Sequence, residues 1–156
     1  MNIYELLDKL NIKYDLVTHI PIYTVEDGRK IDRNIQGIGC KNLFLKTHKN
    51  EFFLVVLEKD KQIKLNDLRK YLKVSNLHFA EDNYLKELLQ VIPGSVTPLG
   101  IINDINNKVT IVIDKDLIDK KILCHPLVNN KTINIEYSDL IKFIEYLKHN
   151  YIIYWI

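Results

Sequence analysis

Six consecutive apolar residues, Phe52-Phe53-Leu54-Val55-Val56-Leu57, set the strongest constraint on how this chain folds. Successive side chains of a strand point to opposite faces, so a strand apolar on both faces belongs in the middle of a covered sheet. A second strand is expected at residues 41–46, and the His48-Lys49-Asn50 turn between the two makes a β-hairpin. At least one pairing is therefore antiparallel. Helical signals surround this hairpin. Asn2 and Glu5 have capping-box spacing ahead of Leu6, Leu7 and Leu10, and Asn11 is a plausible end. Leu65, Leu68 and Leu72 share one helical side, as do Leu85, Leu88 and Leu89 in an expected helix over 84–90.

Further strands are expected at 14–18, 77–80, 109–113 and 132–137. Thr24 caps a weak helix running towards Asn34, residues 116–122 form a helix or turn, and Ser138 caps a closing helix over 139–149. Strands and helices alternate irregularly. This predicts a mixed α/β (α+β) single domain over 1–156, with a central, partly antiparallel sheet flanked by helices, rather than a doubly wound parallel fold.

Composition excludes several classes. Hydrophobic content of 47% with 27% charged residues is that of a globular chain. The 22 basic and 20 acidic residues leave a net charge of +2, so no overall basicity announces nucleic-acid binding. Lys59-Asp60-Lys61, Arg69-Lys70 and Lys120-Lys121 are the local clusters that could meet phosphates. Cys40 and Cys124 form no CxxC pair, and the five histidines lack metal-ligand spacing, so spacing announces no metal site. His48 and His149 are expected in solvent. No apolar run reaches the roughly 20 residues of a bilayer span, and residues 1–10 read as an amphipathic helix. A cytoplasmic, reduced, monomeric protein with no membrane partner is the expectation, and the exposed-looking apolar tail 151–156 is the one feature that speaks against a monomer.

Catalytic signatures are missing: GxSxG, HExxH, the Walker loop and the Rossmann fingerprint do not occur. What the chain offers instead is a concentration of turn residues in Val91-Ile92-Pro93-Gly94-Ser95-Val96-Thr97-Pro98-Leu99-Gly100. Two of its 5 glycines and two of its 4 prolines fall here. Proline fixes φ and glycine admits close backbone approach, so the stretch reads as a rigid turn or as the rim of a site. Lys41, entering the sheet after Gly37-Ile38-Gly39, can act as a point charge towards phosphate or carboxylate. His19 and His125 each sit in an extended segment beside a proline.

Taken in order, His19-x-Pro21-x-Tyr23-Thr24-Val25-Glu26, Cys40-Lys41-Asn42-Leu43-Phe44-Leu45, Pro93-Gly94-Ser95-Val96-Thr97-Pro98-Leu99-Gly100 and His125-Pro126-Leu127-Val128-Asn129 resemble the YbaK/ProX superfamily of aminoacyl-tRNA editing domains. The match is to the freestanding ProX branch (ProXp-ala, PrdX), related to the insertion domain of bacterial prolyl-tRNA synthetase. It runs from about His19 to the final helix.

The resemblance implies a hydrolase that removes a wrongly attached small amino acid, typically alanine, from proline tRNA, with no metal or cofactor and with prolyl-tRNA synthetase as a further candidate partner. It implies Lys41, Asn42 and His125 as catalytic residues. Gly94, Ser95, Val96, Thr97, Pro98 and Gly100 would form the substrate loop, and Thr24, Glu26 and His19 the neighbouring segment. Gly28 stands where relatives often carry alanine. An aminoacyl ester is already activated, so positioned water and oxyanion stabilisation suffice without a covalent nucleophile. Cys124, Ile31 and Ile35 are candidates for a pocket wall and serve equally as core. Cysteinyl-tRNA(Pro), another small aminoacyl-tRNA, or non-catalytic sensing of an aminoacyl group are the alternatives.

Overall fold

The computed structural model describes residues 1–29 and 34–156. Helix α1 (Ile3–Lys9) starts on the expected capping box, in which the Asn2 side chain accepts from the Glu5 N–H and the Glu5 carboxylate reaches back. Asn11, just past its end, takes the left-handed conformation (φ 56). Strand β1 (Leu16–Thr18) and helix α2 (Val25–Arg29) follow. The remainder of the helix expected towards Asn34, with Ile31, lies outside the described residues.

The hairpin forms as read. Strands β2 (Cys40–Lys46) and β3 (Phe52–Glu58) pair antiparallel, with Lys41 opposite Leu57 and Phe44 opposite Leu54. Helix α3 (Leu65–Leu72) matches its leucine spacing, and Lys73 ends it in the left-handed region. Strand β4 (His78–Phe79) is short. A single α-turn, α4 (Asp82–Tyr84), runs on as a π-helical turn over Leu85–Leu89, so the helix expected at 84–90 is wider than an ordinary one. Two 3-10 turns, Pro93–Ser95 and Pro98–Asn103, then carry the Gly/Pro stretch.

Strand β5 (Val109–Asp114) leads into a 3-10 turn at Lys115–Leu117. Strand β6 (Lys121–Cys124) follows, which corrects the helix or turn expected through 122: Ile122 and Cys124 point inward at period two. Strand β7 (Lys131–Glu136) passes directly into helix α5 (Tyr137–Tyr146). Glu136 is therefore the residue before the helix, and Ser138 lies in its first turn instead of capping it. The apolar tail contains strand β8 (Tyr151–Tyr154), which lies parallel to β5.

The main sheet has the order β4-β2-β3-β5-β8, antiparallel on the β2 side of β3 and parallel on the β5 side. A smaller antiparallel sheet, β1-β7-β6, accompanies it. Strand β3 sits at the centre, as its two apolar faces require. Phe52, Leu54 and Val56 join the larger core with α1, α5, β6 and β7, whereas Phe53, Val55 and Leu57 join a smaller one with Leu68 of α3. Fully burying each of these side chains contributes on the order of 1.5–3 kcal/mol. No described helix is long and apolar enough to cross a membrane.

Candidate active site

The N-terminal end of β2 opens onto a cleft of about 270 Å³. Gly39, Cys40, Lys41, Asn42 and Leu43 line it from that strand, joined by Lys59 from the far end of the hairpin. Ile22, Tyr23, Thr24, Val25 and Gly28 line it from the extended segment and helix α2. Pro93, Gly94 and Val96 come from the Gly/Pro stretch, and His125 from the loop after β6. Four segments far apart in sequence thus converge on one space.

Local hydrogen bonds explain the convergence. His19 and Ile22 donate their N–H groups to Asn130 O and Asn129 O at 2.9 Å, which sews the extended segment onto the loop behind His125. The 93–95 turn then lies against that segment so closely that a Cβ on Gly94 would stand 2.2 Å from Ile22 O and 2.8 Å from Tyr23 Cα. Glycine is required here for contact within the protein itself. Thr24 accepts from Asp27 N–H at 3.1 Å and opens α2. Leu127, in the His125 loop, is held left-handed at φ 70, a conformation that costs a side-chain-bearing residue about 1–2 kcal/mol.

Of the residues named from sequence, Lys41, Asn42, His125, Thr24, Gly94 and Val96 line the cleft. Ser95, Thr97, Pro98 and Gly100 lie outside its lining and build the turn. Buried Ser95 Oγ exchanges hydrogen bonds with the Ile92 backbone at 3.2 Å, and Thr97 Oγ1 accepts from Leu99 N–H at 3.3 Å. A Cβ on Gly100 would stand 3.1 Å from Leu89 Cβ. Glu26 is exposed and pairs with Arg29 at 3.1 Å. His19 stands behind the cleft: its Nδ1 lies 2.7 Å from Ile20 O and its Nε2 2.7 Å from Thr132 Oγ1. A carbonyl only accepts, so Nδ1 carries the proton and Thr132 donates to Nε2. Its ring meets that of His125 edge-on at 6.3 Å.

The same logic orients His125. Its Nδ1 lies 2.8 Å from Lys131 O and must donate, which leaves Nε2 as the lone-pair nitrogen of the neutral ring. The Asn42 carboxamide oxygen is buried with no hydrogen-bond partner among the described residues. An unpaired buried acceptor costs about 1–3 kcal/mol, which an incoming donor recovers. A small annex of about 30 Å³ shares Gly39, Cys40, Asn42 and His125 with the cleft and is closed by Leu123, Cys124 and Thr132. Burial, with Glu58 and Asp114 adding to it, pushes the Cys40 thiol up to about 12, and burial pushes Cys124 higher still. Neither thiol supplies a thiolate at neutral pH.

Sequence reasoning missed Tyr23, Val25, Gly39, Cys40 and Lys59 as lining residues. Gly39 and Cys40 carried a signal, standing directly before Lys41. Lys59 was named only within a charge cluster that could meet phosphates, and it is the pairing of Lys59 N–H with Gly39 O at 3.0 Å that brings it to the cleft. Ile35 is half-buried and does not line the cleft. His149, expected in solvent, is buried against Asp104 at 2.8 Å. Lys61 and Asp60 of the charge cluster are engaged with Asp114, Asp116 and Arg29.

The chain is similar to known proteins over most of its length. Residues 19–143 match the model of the aminoacyl-tRNA editing domain. The chain is 38% identical over 141 residues to the prolyl-tRNA editing protein ProX of Acetoanaerobium sticklandii, covering 89% of this chain and 86% of that one. It is 37% identical over 152 residues to prolyl-tRNA synthetase associated domain-containing protein 1 of Danio rerio, covering 96% and 83%. A crystal structure described as a candidate trans-editing enzyme for prolyl-tRNA synthetase superposes with a TM-score of 0.70 at 14% identity, covering 96% and 91%, a likeness of fold alone.

Proposed function

The chain belongs to the aminoacyl-tRNA editing domain family, a family of aminoacyl-tRNA hydrolases, and from that premise we propose that its cleft hydrolyses the ester joining mischarged alanine to proline tRNA. The observation that carries this reading is the meeting of Lys41, Asn42, His125, Gly94 and Val96 around one space.

The ester carbonyl carbon is attacked by water, the tetrahedral oxyanion collapses, and the ribose hydroxyl leaves with a proton. Lys41 supplies positive charge for the terminal nucleotide's phosphate or for the developing oxyanion. The Asn42 oxygen takes a hydrogen bond from the substrate's α-ammonium, the donor that this buried acceptor lacks. His125 Nε2 hydrogen-bonds the substrate from a ring fixed by Lys131 O. Backbone groups of the 93–96 turn hold the amino acid. No protein nucleophile is needed, in keeping with thiols held protonated by burial.

The annex supports a small amino acid: it offers about 30 Å³ against about 270 Å³ in the cleft itself. A synthetase gains only about 1–3 kcal/mol against a substrate lacking one methylene, so a second, smaller pocket completes the discrimination. A panel of alanyl-, cysteinyl- and prolyl-tRNA(Pro), with release of each amino acid measured at enzyme excess, tests the reading. Alanine is expected to be released fastest and proline at the uncatalysed rate. Equal release of all three, or none, removes it. Lys41→Ala is expected to lower kcat/KM for alanyl-tRNA(Pro) by at least about 100-fold, the scale of losing a charge that stabilises the transition state.

A further inference from the structure

A second cavity, of about 470 Å³ against about 270 Å³ for the cleft, lies at the other end of the β2–β3 hairpin. Strand β2 separates the two spaces. Lys41 stands at the cleft, and Lys46 stands beside the cavity, about 17 Å further along at the rise of a strand. The volume falls within the roughly 300–1,000 Å³ of small-molecule sites. Phe52 and Leu88 give it a buried apolar floor, with the Tyr84 ring 5.1 Å from that of Phe52.

Its walls are tied down by hydrogen bonds of their own. Lys108 N–H and Val109 N–H donate to buried Asp104 at 3.1 and 2.8 Å, and Asn150 N–H donates to Asn107 Oδ1 at 3.2 Å. Across the cavity, Glu51 Oε1 accepts from Thr47 Oγ1 at 3.2 Å.

The charges, by contrast, are left open. Glu87 and Lys108 line the same space, yet among the described residues neither has an ion-pair partner, and they do not reach each other. Beneath them lies Lys46, only 8% exposed, with no carboxylate paired to it. Its Nζ has an amide and a ring instead: Asn50 Oδ1 at 3.0 Å and the Tyr84 face at 5.0 Å. Both of those residues line the cavity. Because Asn50 Oδ1 accepts from Lys46, the amide's two N–H donors remain for a ligand.

These features select one class of ligand. A simple anion would face Glu87 and Glu51, and an organic cation would face Lys108 and Lys46. A neutral apolar molecule would desolvate both signs of charge without pairing either. We propose that this cavity binds a free α-amino acid with an apolar side chain. The carboxylate pairs with Lys108 and takes an N–H from Asn50, in the field of Lys46. The ammonium pairs with Glu87, and the side chain lies on Phe52 and Leu88.

A ¹H–¹⁵N correlation titration of the full chain with L-leucine tests the site and its location together. Saturable shifts are expected at residues 50–53, 84–88 and 107–110, with a dissociation constant on the order of 1 mM. N-acetyl-L-leucine, which lacks the ammonium, and L-leucinamide, which lacks the carboxylate, should each bind at least about tenfold more weakly, the scale of one charge-assisted hydrogen bond. Glu87→Gln is expected to lose the preference for L-leucine over N-acetyl-L-leucine, and Lys108→Gln the preference over L-leucinamide. Absence of saturable shifts, shifts confined to 39–43 and 125, or preferences retained in both variants overturns the proposal. Both substituted side chains are exposed, and the dispersion of each variant's spectrum reports its folding. No ester is involved, so the charged-tRNA panel and this titration succeed or fail separately.

Discussion

Gly94 holds more of the site together than any side chain that lines it. The turn it occupies and the segment carrying Tyr23 and Thr24 touch backbone to backbone, with 2.2 Å between a would-be Cβ and Ile22 O. No rotamer relieves that contact, so Gly94→Ala must push the two walls apart. Overpacking of this kind costs about 1–3 kcal/mol. A urea melt is expected to show that loss, together with a fall of at least about tenfold in kcat/KM on alanyl-tRNA(Pro) that remains under fully folding conditions. Unchanged kcat/KM would separate this contact from the working cleft. Concentrated glycine and proline made the turn legible in the sequence, but the partner of the glycine was not. Its neighbour is a backbone about 70 residues earlier, and local spacing carries no trace of that. The same limit explains His149, whose buried partner Asp104 is 45 residues away.

Elements whose stability is local were legible, and those that depend on a distant partner were not. The capping box of α1, the leucine stripe of α3 and the β2–β3 hairpin all form where their own residues say. The apolar tail did not read as a strand because the pairing of β8 is parallel, to a strand forty residues away. A buried charge anchors that end. Asp114, fully buried, accepts from Lys61 Nζ at 2.7 Å, from Asp116 N–H at 3.2 Å and from Ile156 N–H at 3.4 Å. Burial works against the Lys61 charge, yet hydrogen bonds to Asp114 and Asp116 outweigh it and raise the ammonium's pKa above its ordinary value. Lys61→Met leaves the Asp114 carboxylate buried without its cation. Removing one partner of a buried pair costs about 3–5 kcal/mol, less here because Lys61 retains some solvent, so about 2 kcal/mol is expected by urea denaturation. Amide exchange in β8 should quicken most. Adding Asp114→Asn to Lys61→Met should recover most of the loss; failure to recover would mean that lysine packing, not charge, is what matters.

The molecule is built on a five-stranded mixed sheet with unequal cores on its two faces, accompanied by a smaller antiparallel sheet, and the cleft lies where the larger core's loops meet the start of β2. That layout followed from β3 being apolar on both faces, whereas the second sheet had to be seen, since β1, β6 and β7 are short and joined across the chain. Tying loops to sheet at the opposite end is the buried Asp104–His149 pair. Asp104 closes the 3-10 stretch after Gly100 and accepts from Lys108 N–H, Val109 N–H and His149 Nε2–H at 3.1, 2.8 and 2.8 Å. Burial alone would raise its pKa, but the hydrogen bond from His149 and the two backbone donors outweigh burial and hold it below the usual carboxylate value. A carboxyl depressed in the folded state adds stability above its unfolded pKa of about 3.9 and loses it as pH falls towards the folded value. Urea denaturation between pH 7 and pH 3 is therefore expected to show stability declining below about pH 5. In Asp104→Asn that share of the decline should vanish, and the protein should be less stable than wild type at pH 7 by about 1–3 kcal/mol, the cost of weakening a buried network. An Asp104→Asn profile parallel to wild type throughout would assign the acid sensitivity to other carboxylates and leave this pair a neutral strut.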